Sequence, residues 1–358
     1  MKLLDRIAQA AAPVLVAGDS GVFRLPGAGT YASAVATSPL RLVLTEPLTR
    51  VCASLAYAEG DRLASCLDLV HVPATRLWVE WPDWPRREVA AAALGHGGGD
   101  GRGTGARAGV YLTADAAGRR GTARSFWAST DGDGEPWLAP LATDFDLDAG
   151  AERPGTVSDV FDGAAACVCA DDPALAAVLS CLSFRFDSAW AEYYRAGCTS
   201  ATQRASVLRA SLATVATDLP VVFALCLLLS SRLRLPERRP DLGRLNRRRR
   251  RDGRPALLDH VEVTAPVMSA YRVDGARDRD IRRMPRLHHV RGHLVRRGSQ
   301  VFWRVPHLRG RAAFGNLRAR HVTLQFEPRG TAPGGARPDA DATSAARLHA
   351  SPLTGGPP

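Results

Sequence analysis

The sequence predicts an α+β protein: an N-terminal α+β domain, a helical middle and a C-terminal antiparallel β unit. Three observations carry this. Period-two apolar alternation, the mark of a half-buried strand, stands at Ala74–Trp84 and again at His289–Val305. Apolar residues at helical spacing fill Pro47–Leu69 and most of Ser158–Leu229. After Ser231 the charge turns strongly basic, which marks off a different surface. The 358 residues suffice for two globular domains, and boundaries are expected at 1–157, 158–235 and 236–327, with a disordered tail at 328–358.

Leu3–Ala12 predicts a first helix that Pro13 stops, and Gly18–Gly29 reads as loop. Met1–Ala12 has no sustained apolar core, and no cleavage site follows before Asp19, so no signal peptide is expected. In Pro47–Leu69, Leu48, Val51, Cys52, Leu55, Leu63, Cys66 and Leu67 keep helical spacing, with a break near Gly60. Pro47 suits a first helical position. In Ala74–Trp84, Leu77, Val79 and Trp81 alternate with Trp78 and Glu80 until Pro82 stops the strand. Glu80 is a candidate catalytic carboxylate, although a strand-end glutamate more often pairs with a neighbouring arginine.

Gly95–Gly109 lacks the Lys-Ser/Thr and the strand–helix frame of a phosphate loop and reads as a connector. Val110–Leu112 and Ala123–Ala128 predict paired strands, with a turn at Ala117-Gly118. Asp144, Asp146 and Asp148 alternate but lack the glycine and terminal glutamate of a calcium loop, and so read as an acidic edge. Pro173–Phe184 and Ser188–Arg195 suit short helices. Thr202–Leu229 suits a long one, kinked or split at Pro220. Its apolar end, Leu219–Leu229, is shorter than the roughly 20 residues a membrane span needs. No membrane association is expected.

The seven cysteines form an odd set without metal or redox spacing and read as small buried hydrophobes in a reducing, cytoplasmic compartment. No cofactor and no metal are expected. Net charge is +11, and Lys2 is the only lysine. A GC-rich coding sequence alone would favour arginine over lysine, but it does not account for where the arginines sit. Arg232–Arg320 holds 25 arginines against 8 acidic residues, a net of +17 that leaves −6 for the remainder. Such an asymmetry points to a polyanionic partner, because each phosphate neutralised releases counterions. Arg247–Arg251 is its densest run, and no base-reading motif is visible.

His288–Gly310 packs His288, His289, His293 and His307 among three Arg-Gly pairs. Strands are expected at His289–Val295 and Val301–Val305 around an Arg297-Gly298-Ser299 turn, with a third at His321–Phe326. The hairpin would put Arg291, His293 and Arg304 on one surface. Ile281–Phe326 contains no Asp or Glu, so this segment alone cannot build a Mg²⁺ site. On a strand His289 and His293 stand about 13 Å apart, too far for a shared zinc.

Two segments together resemble a family. Leu245-Asn246, Arg249, Gly253, Pro255 and Leu257 match an LNxxRxxxGxPPL pattern. His288–His293 with Trp303–Gly310 match the HxVRGH…W…PHxRG pattern that follows it. Both occur in uncharacterised proteins of bacteriophages, prophages and their bacterial hosts, and the strand ending at Glu80 is similar to their N-terminal part. Ala256 replaces the usual second proline, and Asp252 stands where a basic residue is common. The resemblance implies a mobile-element context and no mechanism.

The leading expectation is therefore binding of nucleic acid or another polyanion through Arg247, Arg249, Arg251, Arg291, Arg304 and Arg309. The alternative is a metal-independent ribonuclease or phosphodiesterase. In it His293 and His307 would act as acid and base, and Arg291 and Arg309 would hold the phosphate. A third reading is a structural or adaptor role in which Trp78, Trp81 and Trp84 pack a partner. No particular protein partner is indicated.

Overall fold

The computed structural model describes residues 1–18, 21–94, 106–128, 135–149, 155–158, 165–168, 173–231, 235–266, 286–290, 292–304, 307–309 and 311–316. They form an α+β protein. The first half runs α1 (Leu3–Ile7), β1 (Pro13–Gly18), β2 (Gly21–Pro26), α2 (Ala32–Ala36), β3 (Leu40–Leu44), α3 (Glu46–Ala53), α4 (Gly60–Ala64), β4 (Arg76–Pro82), α5 (Asp83–Leu94), β5 (Arg107–Ala114), β6 (Arg120–Ala128) and β7 (Pro136–Asp146). It continues through β8 (Gly155–Ser158), β9 (Ala165–Val168), α6 (Pro173–Leu179), β10 (Leu182–Phe186), α7 (Ser188–Gly197), α8 (Ala201–Val215), α9 (Asp218–Ser230), β11 (Glu237–Arg238), α10 (Gly243–Arg251) and β12 (Val261–Val263).

One mixed sheet of ten strands organises these elements, in the order β11-β12-β3-β4-β5-β6-β7-β10-β8-β9. The pairs β12–β3, β3–β4 and β10–β8 are parallel. β4–β5, β5–β6, β6–β7 and β7–β10 are antiparallel. Both sides of the sheet centre are buried, as β4 shows. Leu77, Val79 and Trp81 enter one core with Leu48 and Cys52 of α3 and the whole apolar length of α9. Trp78 enters the other with Leu3, Leu4 and Ile7 of α1, Tyr111 and Phe126. Gly109 faces Trp78 closely enough that an added Cβ would stand 2.7 Å from its ring, so only glycine fits there.

Several expectations change on the structure. The first helix ends at Ile7, and the expected loop Gly18–Gly29 contains a strand: β2 pairs antiparallel with β1 and sets Phe23 against Tyr193 of α7, ring centroids 5.4 Å apart. Only Pro173–Leu179 of the expected helix Pro173–Phe184 is helical. Leu182–Phe186 alternates buried Leu182, Phe184 and Phe186, and the sheet claims it as β10. The expected boundaries at 157 and 235 therefore fall inside one sheet. The long helix splits at Ala216-Thr217 rather than kinking, and Pro220 stands in the first turn of α9, where no intrahelical donor is lost. Among the described residues no helix is long and apolar enough to cross a membrane.

Met1–Pro266 together with Leu294–Trp303 forms one compact unit, and the described residues of Val267–His293 and of Arg304–Pro358 belong to a second. The C-terminal strands are β13 (Arg286–Val290), β14 (His293–Arg297), β15 (Gln300–Arg304), β16 (His307–Arg309) and β17 (Arg311–Asn316). β14 and β15 form the expected hairpin, turning at Gly298 with φ of +59°. Within the first unit, Leu294 and Val301 bury against the main core, and Arg296 holds both oxygens of Asp68 at 2.9 and 2.8 Å. The expected strand His289–Val295 is two strands, β13 and β14, in different sheets. The expected third strand at His321–Phe326, the tail and most of the glycine-rich connector lie outside the described residues.

Candidate functional site

The arginine run folds as α10, and the motif around it explains how. At its start Asp241 Oδ1 accepts from the Gly243 amide at 2.9 Å. Asn246, the one buried residue of the helix, reaches across to the returning chain. Its Nδ2 donates to the Leu257 carbonyl at 3.0 Å, and its Oδ1 accepts from the Leu257 amide at 2.8 Å. Three residues on, Arg249 Nε donates to the Pro255 carbonyl at 2.7 Å. Gly253 follows the helix with φ of +68°, where a side chain would be strained, and sends its amide to the Arg250 carbonyl at 3.2 Å. The Arg254 amide reaches the Arg249 carbonyl at 2.8 Å, completing a Schellman C-cap. Leu258 then donates its amide to the buried Asp5 at 2.8 Å, tying the loop to α1. Asn246, Arg249, Gly253, Pro255 and Leu257 thus form a lock that fixes α10.

Five arginines remain on the outside. Arg244, Arg247, Arg248, Arg250 and Arg251 are exposed. Four of them, Arg244, Arg247, Arg250 and Arg251, line a shallow groove of about 430 Å³. Among the described residues none of those four stands in an ion pair, whereas Arg248 lies 3.9 Å from Asp252. Like charges at this spacing repel. The helix dipole offsets part of that by favouring the four arginines in its last turn.

Many described acidic residues of the earlier chain are engaged elsewhere. Glu80, fully buried, accepts from the Leu3 and Leu4 amides at the start of α1, from Trp78 Nε1 and from Arg107 Nε at 2.8 Å. It is a helix cap and a buried ion-pair partner. Asp83 holds Arg86 at 2.7 Å and Arg87 at 3.1 Å. Asp144 takes Arg185, Asp146 takes Arg120, Asp148 takes Arg119, and Asp187 takes Arg124. In the late segment Glu262 holds Arg238 at 2.7 Å and Lys2 at 3.1 Å.

Of the residues singled out in the sequence, Arg247 and Arg251 share the α10 groove. Arg249 does not, because its guanidinium closes the loop from within. Arg244 and Arg250 join the groove instead. Helical spacing through Arg244, Arg247 and Arg251 would have found Arg244, had the run been read as helix rather than as solvated charge. Arg291 lies outside the described residues. Arg304 ends β15, exposed. His293 opens β14, whereas His307 and Arg309 lie in β16, where the antiparallel register sets His307 beside Val290 and Arg309 beside His288. The two histidine candidates therefore belong to different sheets. Trp78 and Trp81 are wholly inside the protein, and Trp84 packs under Arg50 with the guanidinium 4.7 Å from its ring, so these tryptophans do not form a partner-facing patch.

A second cavity of about 430 Å³ is lined by Asp68, His71, Leu227, Ser230, Ser299 and Gln300, among others. Ser230 Oγ stands 3.3 Å from His71 Nδ1 but donates its single proton to the Cys226 carbonyl at 2.7 Å. His71 is then the donor of the pair, the wrong polarity for activating a serine nucleophile. Its nearby carboxylate, Asp68, is held by Arg296.

Fold and site together define an α+β protein that presents a short arginine helix on a hydrogen-bonded loop. No family model matches the chain, and no curated protein or solved structure matches it.

Proposed function

We propose that this protein binds nucleic acid or a comparable polyanion through the outer face of α10, in the cytoplasm and without an enzyme's machinery. The observation that carries the reading is the set Arg244, Arg247, Arg250 and Arg251, exposed together on one helix with no carboxylate of the described residues paired to them. Four guanidinium groups fixed side by side repel one another, and a row of phosphates relieves that repulsion while releasing its own counterions. The resemblance of the lock motif to phage and prophage proteins suits a mobile-element setting. Five buried free cysteines, Cys52, Cys66, Cys181, Cys198 and Cys226, suit a reducing compartment.

Filter binding of the full chain to DNA and to RNA across a salt series tests the reading. Four phosphate contacts should give log K against log salt a slope of about −3 to −4. Replacing Arg244, Arg247, Arg250 and Arg251 together by glutamine should remove most of that dependence, leaving the contribution of Arg248. Absence of affinity at low salt, or affinity unchanged in the quadruple variant, overturns it.

A further inference from the structure

Resting on that reading, we infer that the partner is duplex DNA, with α10 seated in the major groove and its arginines on the phosphates of both walls. The first argument is angular. At about 100° per residue, Arg250, Arg247, Arg251, Arg244 and Arg248 fan across roughly 160° of the helix circumference. The lock residues Asn246 and Arg249 fill the opposite side. A helix lying along one strand of phosphates engages a single stripe. An arc this wide places guanidinium groups on two opposed flanks, Arg247 with Arg250 on one and Arg244 with Arg248 on the other. The flanks' mean directions lie about 110° apart, so at the side-chain radius of about 6 Å they stand roughly 10 Å apart, with the outermost pair, Arg250 and Arg248, at about 12 Å, the width of the B-form major groove. The minor groove, about 6 Å wide, is too narrow for a helix.

The second argument is chemical. Proteins that hold single strands stack the bases on aromatic side chains. Ser231–Pro266, which contains α10 and its loop, has no Phe, Tyr or Trp. A-form RNA duplexes present a deep, narrow major groove that does not admit such a helix. The third is accessibility. Asn246 is the one buried residue of α10, so the arginine face projects from its anchoring loop. The helix's amide side chain, the type that would read adenine, is the buried Asn246. Adenine readout by Asn246 is therefore closed, and base contact from this face would be arginine to guanine.

Fluorescence anisotropy with the full chain separates the possibilities, using as probes a mixed-sequence DNA duplex, one of its strands alone and the RNA duplex of the same sequence, at matched salt. The DNA duplex should bind roughly tenfold or more tighter than either competitor, since only it meets both flanks. Equal or tighter binding of the single strand or the RNA duplex overturns the groove assignment and leaves polyanion binding standing. No binding to any probe at low salt removes both. The double variants R247Q/R250Q and R244Q/R248Q should each lower the salt slope on duplex DNA by about 1.8. A loss confined to one pair means the helix lies along one strand, and the groove assignment fails. Wild-type melting temperatures show that the variants fold. If either does not, the wild-type probe preference decides alone.

Discussion

Arginines in the sheet body and arginines on α10 have opposite fates, although the residue is the same. Arg86, Arg107 and Arg124 are largely buried, each held by a carboxylate: Asp83, Glu80 and Asp187. Arg124 also lies over the Tyr31 ring at 5.5 Å. On α10, Arg244, Arg247, Arg250 and Arg251 stand outside with none. The difference is local supply. The remainder of the chain, at −6, offers each buried arginine an acid. Arg232–Arg320, at +17, leaves its helix in surplus. In the body each buried arginine is structural and held by a carboxylate, and on α10 Arg249 is structural through a backbone carbonyl, whereas among the described residues the four arginines of the outer face have neither partner.

The strongest way to break this contrast is to remove a carboxylate from the body. Glu80→Gln leaves Arg107 without its counter-charge and weakens the cap on α1. Arg107 keeps 20% of its side chain exposed, so the loss belongs at the lower end for a buried pair, about 3 kcal/mol in urea unfolding. A change under about 0.5 kcal/mol, the range of ordinary surface substitutions, would mean that the pair is no more structural than the α10 arginines.

Asp218 sharpens the contrast through pH. Burial raises its carboxyl from 3.8 to about 6, against the pull of Arg86. The folded state thus holds this proton more tightly than the unfolded chain. Its stabilising effect is complete below pH 3.8 and is lost as pH rises through about 6. Asp218→Asn keeps the side chain neutral throughout. Relative to wild type, the variant should gain roughly 2 to 3 kcal/mol as pH goes from about 4 to about 7. Taking the difference cancels carboxylates such as Glu262, whose pKa is lowered: burial pushes it up, but Lys2 and Arg238 more than offset that, and its contribution is lost as pH falls below 4.5. A flat difference curve would show that Arg86 neutralises Asp218 fully.

Much of the frame was legible in the sequence, because alternation and turn chemistry are local. β4, the hairpin turning at Gly298 and the largely apolar α9 follow directly from it. What was not legible depended on distant groups. Nothing near Glu80 indicates that it caps a helix 76 residues earlier in the chain. Leu182–Phe186 became a strand because β7 and β8 flank it. α5 was not among the expected elements, although Pro85 suits a first turn and the alanines after it favour helix. Within the site, the position of the charge was legible but its division was not: the bond that turns Arg249 inward ends on a backbone carbonyl, which leaves no mark in the sequence.

The smallest expected effect lies on α10 itself and separates lock from face. Asn246→Ala strands the Leu257 amide and carbonyl, a loss of about 1 to 2 kcal/mol that falls on the helix and its loop. The sheet core is untouched, so global unfolding should shift little, whereas trypsin, which cuts after arginine, should attack residues 247–251 faster through local opening. Arg251→Gln removes a charge from the exposed face and should leave both the melting temperature and the remaining cleavage rates within error, a change of at most about 0.5 kcal/mol. Duplex affinity should move for both variants, in one through a loosened mount and in the other through a lost contact. The two are told apart by salt: Arg251→Gln lowers the slope by about 0.9. Asn246→Ala, which keeps every charge, lowers affinity at unchanged slope. If Asn246→Ala left trypsin cleavage at the wild-type rate, the loop would not be what holds the arginines in place, and the helix would owe its order to its own cap at Gly253.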